Sequence, residues 1–192
     1  MEQHYWHVQP RGLAAVESDA ADPGGGAPAA TTADADARDA LEKRVAEQLL
    51  DDEALRADLT DDEFQPLQDW ALAALHERVA ALADPATPAA ETEAAHLADC
   101  LRTVLRAAND TIGHRDDLDA AGFAAGLAAI PAALEPALYG AEGPATDAQQ
   151  ALTSLAPDLA ARKDALDGVD LATALVAALR GEHPAVGGEE TS

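Results

Sequence analysis

Residues 87–113 read TPAAETEAAHLADCLRTVLRAANDTIG, and this stretch decides the fold. Leu97, Leu101, Val104, Ala108 and Ile112 recur at three- and four-residue steps, which places them on one stripe of an α-helix. Thr87 stands where an N-cap belongs, and Pro88 takes the first helical position, whose N–H has no partner inside the helix in any case. Gly113 occupies the place of a C-cap glycine. The spacing therefore predicts a helix from Pro88 to about Ile112, with a single apolar stripe.

The same period continues on both sides. Upstream, Leu41, Val45 and Leu49 predict a first helix that continues towards Leu55. Thr60 with Glu63 forms a capping box that opens a second helix, marked by Phe64, Leu67, Trp70 or Ala71, Leu75, Val79 and Leu82 and stopped by Pro85. Pro66 removes a backbone bond near its second turn, so the regular part is expected from Gln65. Downstream, Phe123, Leu127, Ile130, Leu134 and Leu138 follow an opening at Asp116 or Asp119. Pro131 and Pro136 interrupt that region and predict a kink or two short helices ending at Tyr139-Gly140. Thr146 with Gln149 suggests a further capping box, and Pro157 divides the helix of Leu152 and Leu155 from a turn around Leu159 and Leu166. Gly168 and Asp170 begin the last helix, with Leu171, Leu175 and Leu179 inward and Gly181 closing it.

No strand pattern and no internal repeat is present. The expectation is an all-α protein, a helical bundle of about five to seven helices over residues 38–183, with short loops joining antiparallel neighbours. Residues 1–37 read as a largely disordered arm and linker. Glu17 to Ala37, centred on Pro23-Gly24-Gly25-Gly26-Ala27-Pro28, hold too few large apolar groups to offset their ordering entropy. Tyr5, Trp6, Val8, Leu13 and Val16 are apolar enough to dock. Residues 184–192 read as a disordered acidic tail.

Charge bounds the function. Thirty-six Asp and Glu against 12 Lys and Arg leave a net charge of −24, and 28 of the acids lie between Arg38 and His183. The acidity is spread through the folded region, which favours a solvent explanation over a focused docking stripe. In molar salt the Debye length falls to ~3 Å and repulsion between surface carboxylates largely disappears. Ten Arg against two Lys, Lys43 and Lys163, with abundant Ala, Asp and Gly, fit a GC-rich genome in a halophile. Clustered cations and aromatic platforms are both missing, so direct nucleic-acid binding is excluded first. No apolar run approaches the ~20 residues of a membrane span, and Met1 to Arg11 do not read as a secretory leader. A cytoplasmic location is expected.

Candidate chemistry is thin. Glu93 and His96 have the i, i+3 spacing of a carboxylate-bridged di-iron motif, but a second Glu-x-x-His is absent. His96 and Cys100, four apart, could hold zinc or copper with help from His76 or His114. Against that, Cys100 falls on the apolar stripe, where a lone thiol is a small core group. The expectation is no metal and no cofactor, with Glu93, His96 and Cys100 as the weak candidates. His4 and His7 flank Tyr5 and Trp6, a packing anchor in preference to a ligand pair. Asp117, Asp119 and Gly122 match three positions of a calcium loop, but Ala121 and Ala128 stand at its fifth and closing positions, so the match reads as accidental and Asp116 and Asp119 as groups that cap and charge a helix start. The densest acidic stretch, Asp51 to Glu63, reads as a solvated corner between helices. Neither a nucleophile elbow nor a phosphate loop is present, which points away from an enzyme.

The reading that results is a non-catalytic cytoplasmic accessory or adaptor protein of a halophile. It would bind another protein through a groove between helices, with Phe64, Trp70 and Tyr139 lining the groove and Trp6 anchoring the arm, since aromatic groups dominate binding hot spots. The alternatives are a small metal-dependent helical enzyme or metal carrier, and an acidic phosphate mimic that inhibits a nucleic-acid-binding protein.

Overall fold

The computed structural model describes residues 32–130 and 144–182. Among them are six α-helices, one short 3-10 turn and no strand. The helices are α1 (Thr32–Leu50), α2 (Asp61–Ala81), α3 (Pro88–Gly113), α4 (Ala120–Ala129), α5 (Pro144–Arg162) and α6 (Gly168–Leu179), with the 3-10 turn at Glu53–Leu55. The chain is an all-α bundle. Helix α3 lies at its centre, packed against α1, α2, α4 and α6, while α2 meets α6 and α5 meets both α4 and α6. Helix α1 is a flank, packed chiefly on α2 and α3.

The stripes read from the sequence are the core. Leu97, Leu101, Val104, Ala108 and Ile112 on α3 are all 1% exposed or less. They meet Leu41, Val45 and Leu49 of α1, Leu67 and Leu75 of α2, Phe123 and Leu127 of α4, and Leu171, Leu175 and Leu179 of α6 in one continuous cluster. Each fully buried Leu contributes ~1.5–3 kcal/mol relative to exposure, and each Ala far less, so the Leu residues carry the fold. Caps define the ends as expected. Thr60 Oγ1 accepts from the Glu63 amide at 3.3 Å while Glu63 Oε2 accepts from the Thr60 amide at 2.8 Å. Thr87 caps α3 through the Ala90 amide, and Asp119 caps α4 through the Gly122 amide at 2.7 Å.

Several boundaries differ from the sequence reading, each for a physical reason. Helix α1 starts at Thr32, ahead of Arg38, on exposed Ala residues that favour helix and on Asp34 in the first turn, where the dipole favours a carboxylate. It ends at Leu50 and does not reach Leu55. There Asp52 accepts from the Ala54 amide at 3.0 Å and caps the separate 3-10 turn, which still buries Leu55. Helix α2 begins at Asp61 and carries Pro66 inside it, because the capping box already secures its first turn. Helix α5 begins at Pro144, so Thr146 lies within it, and it runs through Pro157 to Arg162. Pro157 is exposed, so the Thr153 carbonyl it leaves without a helical donor faces water.

Gly113 is also not a left-handed cap. It is the last residue of α3, and a Cβ there would lie 2.5 Å from Asp58 Cβ, so the glycine serves close approach of the loop before α2. The left-handed glycine is Gly181, at φ 73°. Its amide donates to the Ala178 carbonyl and that of Glu182 to the Ala177 carbonyl, the paired bonds of a Schellman end. The expectations for residues 1–31, for 131–143 (Leu134, Leu138 and Tyr139) and for 183–192 lie outside the described residues.

Candidate functional site

The helix register separates the metal candidates. Glu93 projects from α3 to α2, where its Oε1 lies 2.6 Å from Arg78 Nη2. His96 is exposed, and its Nε2 comes within 4.0 Å of Cys100 Sγ one turn later, while Cys100 itself is 6% exposed. His76 lies on Glu42 of α1 at 3.0 Å, and His114 accompanies the Asp110 carbonyl at 3.2 Å, so neither joins His96. Among the described residues no three His, Cys, Asp or Glu side chains converge on a metal-sized space.

The aromatic candidates divide differently. Phe64 and Trp70 are each 4% exposed and belong to the one buried cluster. Both belong to the core, and a ring so covered presents little area to a partner. Phe64 lines a cleft of about 100 Å³ beside Leu50, Leu55 and Arg56. Trp6 and Tyr139 lie outside the described residues.

A groove exists nevertheless, one face further round. An open groove of about 840 Å³ runs along α1 and is closed on the α2 side by Leu72. On α1 the core face is Leu41, Val45 and Leu49. Rotating one residue, about 100°, brings Lys43, Ala46, Glu47 and Leu50 to the outer flank at three- and four-residue spacing. Ala46 and Leu50 rest half-buried on the core, so the floor is apolar, while Lys43, Glu47 and Asp51 supply mixed charge at its rim. Leu50 also lines the Phe64 cleft, so the two depressions share a wall. Ala46, Leu50 and Leu72 stand beside the strong stripes and belong to none of them, so periodicity carries no signal of the groove.

The opposite feature is a buried polar knot at the end of α3. Glu63 is 8% exposed and accepts from the Thr60 amide and, at 2.9 Å, from the Thr60 hydroxyl. Its other oxygen lies 3.1 Å from Arg115 Nη1, which also donates to the Ile112 carbonyl. Lys163 donates to the Arg115 carbonyl at 3.0 Å and brings the loop after α5 into the same knot. Burial pushes the Glu63 carboxyl up, but the Thr60 donors and the Arg115 charge outweigh it and hold the group below its ordinary range. Beside this, Asn109 donates to Asp58 Oδ2 at 3.0 Å and accepts from the Asp58 amide at 3.2 Å. With both oxygens engaged, Glu63 ties the start of α2 to the loop after α3. Asn109 was legible in principle, since it follows Leu101 and Leu105 at four-residue steps and so must be buried.

The scarce cations act as fasteners between elements. Arg44 pairs with Glu91 at 2.9 Å, Arg106 with Asp52, and Arg102 reaches the Gln48 carbonyl at 3.0 Å, all three tying the α1 region to α3. The Arg106 guanidinium, and after it the Ala54 amide, hold the Asp52 carboxyl below the usual carboxylate range. Comparison of the chain with protein-family models, with curated proteins and with solved structures finds no match.

Proposed function

We propose that this chain is a non-catalytic accessory or adaptor protein of a halophile's cytoplasm, which binds a protein partner along the α1–α2 groove. The observation that carries this reading is the half-buried apolar floor of Ala46, Leu50 and Leu72 on a flank helix, rimmed by charges of both signs. Such a strip seats apolar anchors of a partner segment, while Lys43, Glu47 and Asp51 fix its register without a large electrostatic bias. The contacts of Arg44 with Glu91, Arg106 with Asp52 and Arg102 with the Gln48 carbonyl fasten the α1 side of the groove to α3.

The test places a photo-reactive phenylalanine at Leu72 and, as control, at Val169 of α6, which is 37% exposed on another helix. Irradiation in a halophile extract at molar KCl is expected to capture one protein at Leu72 and none at Val169. Leu50→Glu should abolish that capture with helicity unchanged. Equal capture at both sites, or none at either, removes the reading.

A further inference from the structure

The groove has an occupant within the chain itself. We propose that residues 1–16 seat in the α1–α2 groove in cis, with Tyr5 and Trp6 over Ala46, Leu50 and Leu72, so that a partner must displace the chain's own segment to bind. The inference concerns the groove's resident and does not depend on which partner, if any, uses it.

Three observations carry it. The first is composition: the sixteen residues hold Tyr5, Trp6, Val8, Leu13 and Val16, whereas residues 17–31 are built from Gly, Pro, Ala, Ser, Thr, Asp and Glu. An apolar segment on a polar tether is thereby joined directly to Thr32, the start of the helix that forms the groove. The second is reach. Leu50 lies eighteen residues along α1, about 27 Å from Thr32 at 1.5 Å per residue. The twenty-five residues 7–31 between Trp6 and Thr32 correspond to an r.m.s. span of ~27 Å, and effective concentration is greatest when that span matches the distance between sites. A segment of only modest intrinsic affinity is therefore held against a millimolar local concentration of its own groove.

The third is charge. The chain carries −24, yet residues 1–16 contain one acid, Glu2, and one base, Arg11. This neutral segment approaches the acidic bundle without repulsion, and Arg11 complements Glu47 and Asp51 at the rim. A second whole copy brings its own large negative charge to the contact, which opposes that occupant at any salt low enough to leave repulsion unscreened.

The full chain with a photo-reactive phenylalanine at Leu72, mixed with an equal amount of isotopically heavy chain, tests this. A second series places the group at exposed Glu47, in case the first disturbs packing. Expected is a cross-link from position 72 or 47 to a peptide within residues 1–16 of the same chain, independent of concentration over a hundredfold dilution. Tyr5→Ala with Trp6→Ala should reduce it at least fivefold at unchanged helicity. Mixed light–heavy products that grow with concentration would assign the groove to a second copy and overturn the proposal. Cross-links to residues 131–143, or to solvent alone in both series, would overturn it equally.

Discussion

Gly168 shows how little room a single atom has in this bundle. It opens α6 behind its N-cap Asp167, and a Cβ there would overlap Glu63 Oε1 and crowd the Glu63 side chain. Since that carboxylate is pinned by Thr60 and Arg115, Gly168→Ala must either displace α6 or break the capping box of α2. The expected loss is about 1–3 kcal/mol, measured by denaturant unfolding. Glu63→Gln addresses the same knot through pH. The folded carboxyl titrates below its ordinary range, so between that value and the ordinary ~4.3 the unfolded chain binds the extra proton. The stability it contributes is thus fully present above about pH 4.3 and lost as pH falls through the folded value. The variant should show a shallower fall in stability than the native chain over that acid window, and parallel curves would show that Glu63 carries no such linkage. Cys100 offers a contrast of size and charge at one buried position: Cys100→Ala should cost ~1 kcal/mol or less, and Cys100→Asp several, because an unpaired buried charge is heavily penalised. Rapid modification of the native thiol by a bulky reagent would contradict its burial.

At the scale of the element, α5 tests how tertiary packing overrides local preference. Pro157 reads as a break, yet Leu152, Leu155 and Leu159 on either side are 0%, 6% and 1% exposed, and their common burial holds the helix continuous. Pro157→Ala restores the N–H for the Thr153 carbonyl, so it should stabilise by about 1–2 kcal/mol, less than the full proline penalty because the unfolded chain also gains freedom. No rise in thermal midpoint would mean that the helix is already relaxed around the proline. Helix α1 teaches the converse. Its first two turns carry no large apolar group, so periodicity had nothing to report before Leu41, although Ala and Asp34 suffice to extend the helix to Thr32. Stripes of Leu were legible because burial demands them. The α1 start, the 3-10 turn and the groove were not, because propensity, an Asp side chain and half-burial leave no period.

For the whole molecule, the fold could be read from four or five stripes, whereas the candidate surface could not. The sequence reading chose the large aromatics as binding groups, and in a core with so few of them Phe64 and Trp70 are needed for packing. Ala46, Leu50 and Leu72, half-buried beside that core, line the α1–α2 groove. Charge acts at this scale too. A Leu and Ala core has little surplus stability against a net −24, and the Debye length shrinks from ~8 Å at physiological salt to ~3 Å at 1 M. Helicity and melting temperature should therefore rise as KCl goes from about 0.1 M to 2 M. A chain fully helical in 0.1 M salt with no gain at 2 M would remove the halophile reading and favour an acidic docking surface or a phosphate mimic.

The chain's two lysines sit in unlike surroundings. Lys163 has a side chain only 11% exposed and donates to both the Arg115 carbonyl and Asp164, whereas Lys43 stands exposed on the groove rim. Apart from the α-amine, an amine-acylating dye in slight excess should therefore attach to one side chain of the 192-residue chain, and that attachment falls beside Leu50 and Leu72. Most proteins need an engineered handle for site-selective acylation. Here the scarcity of lysine supplies one, and the rate at which the dye reacts becomes a clock for whether the groove is open or filled.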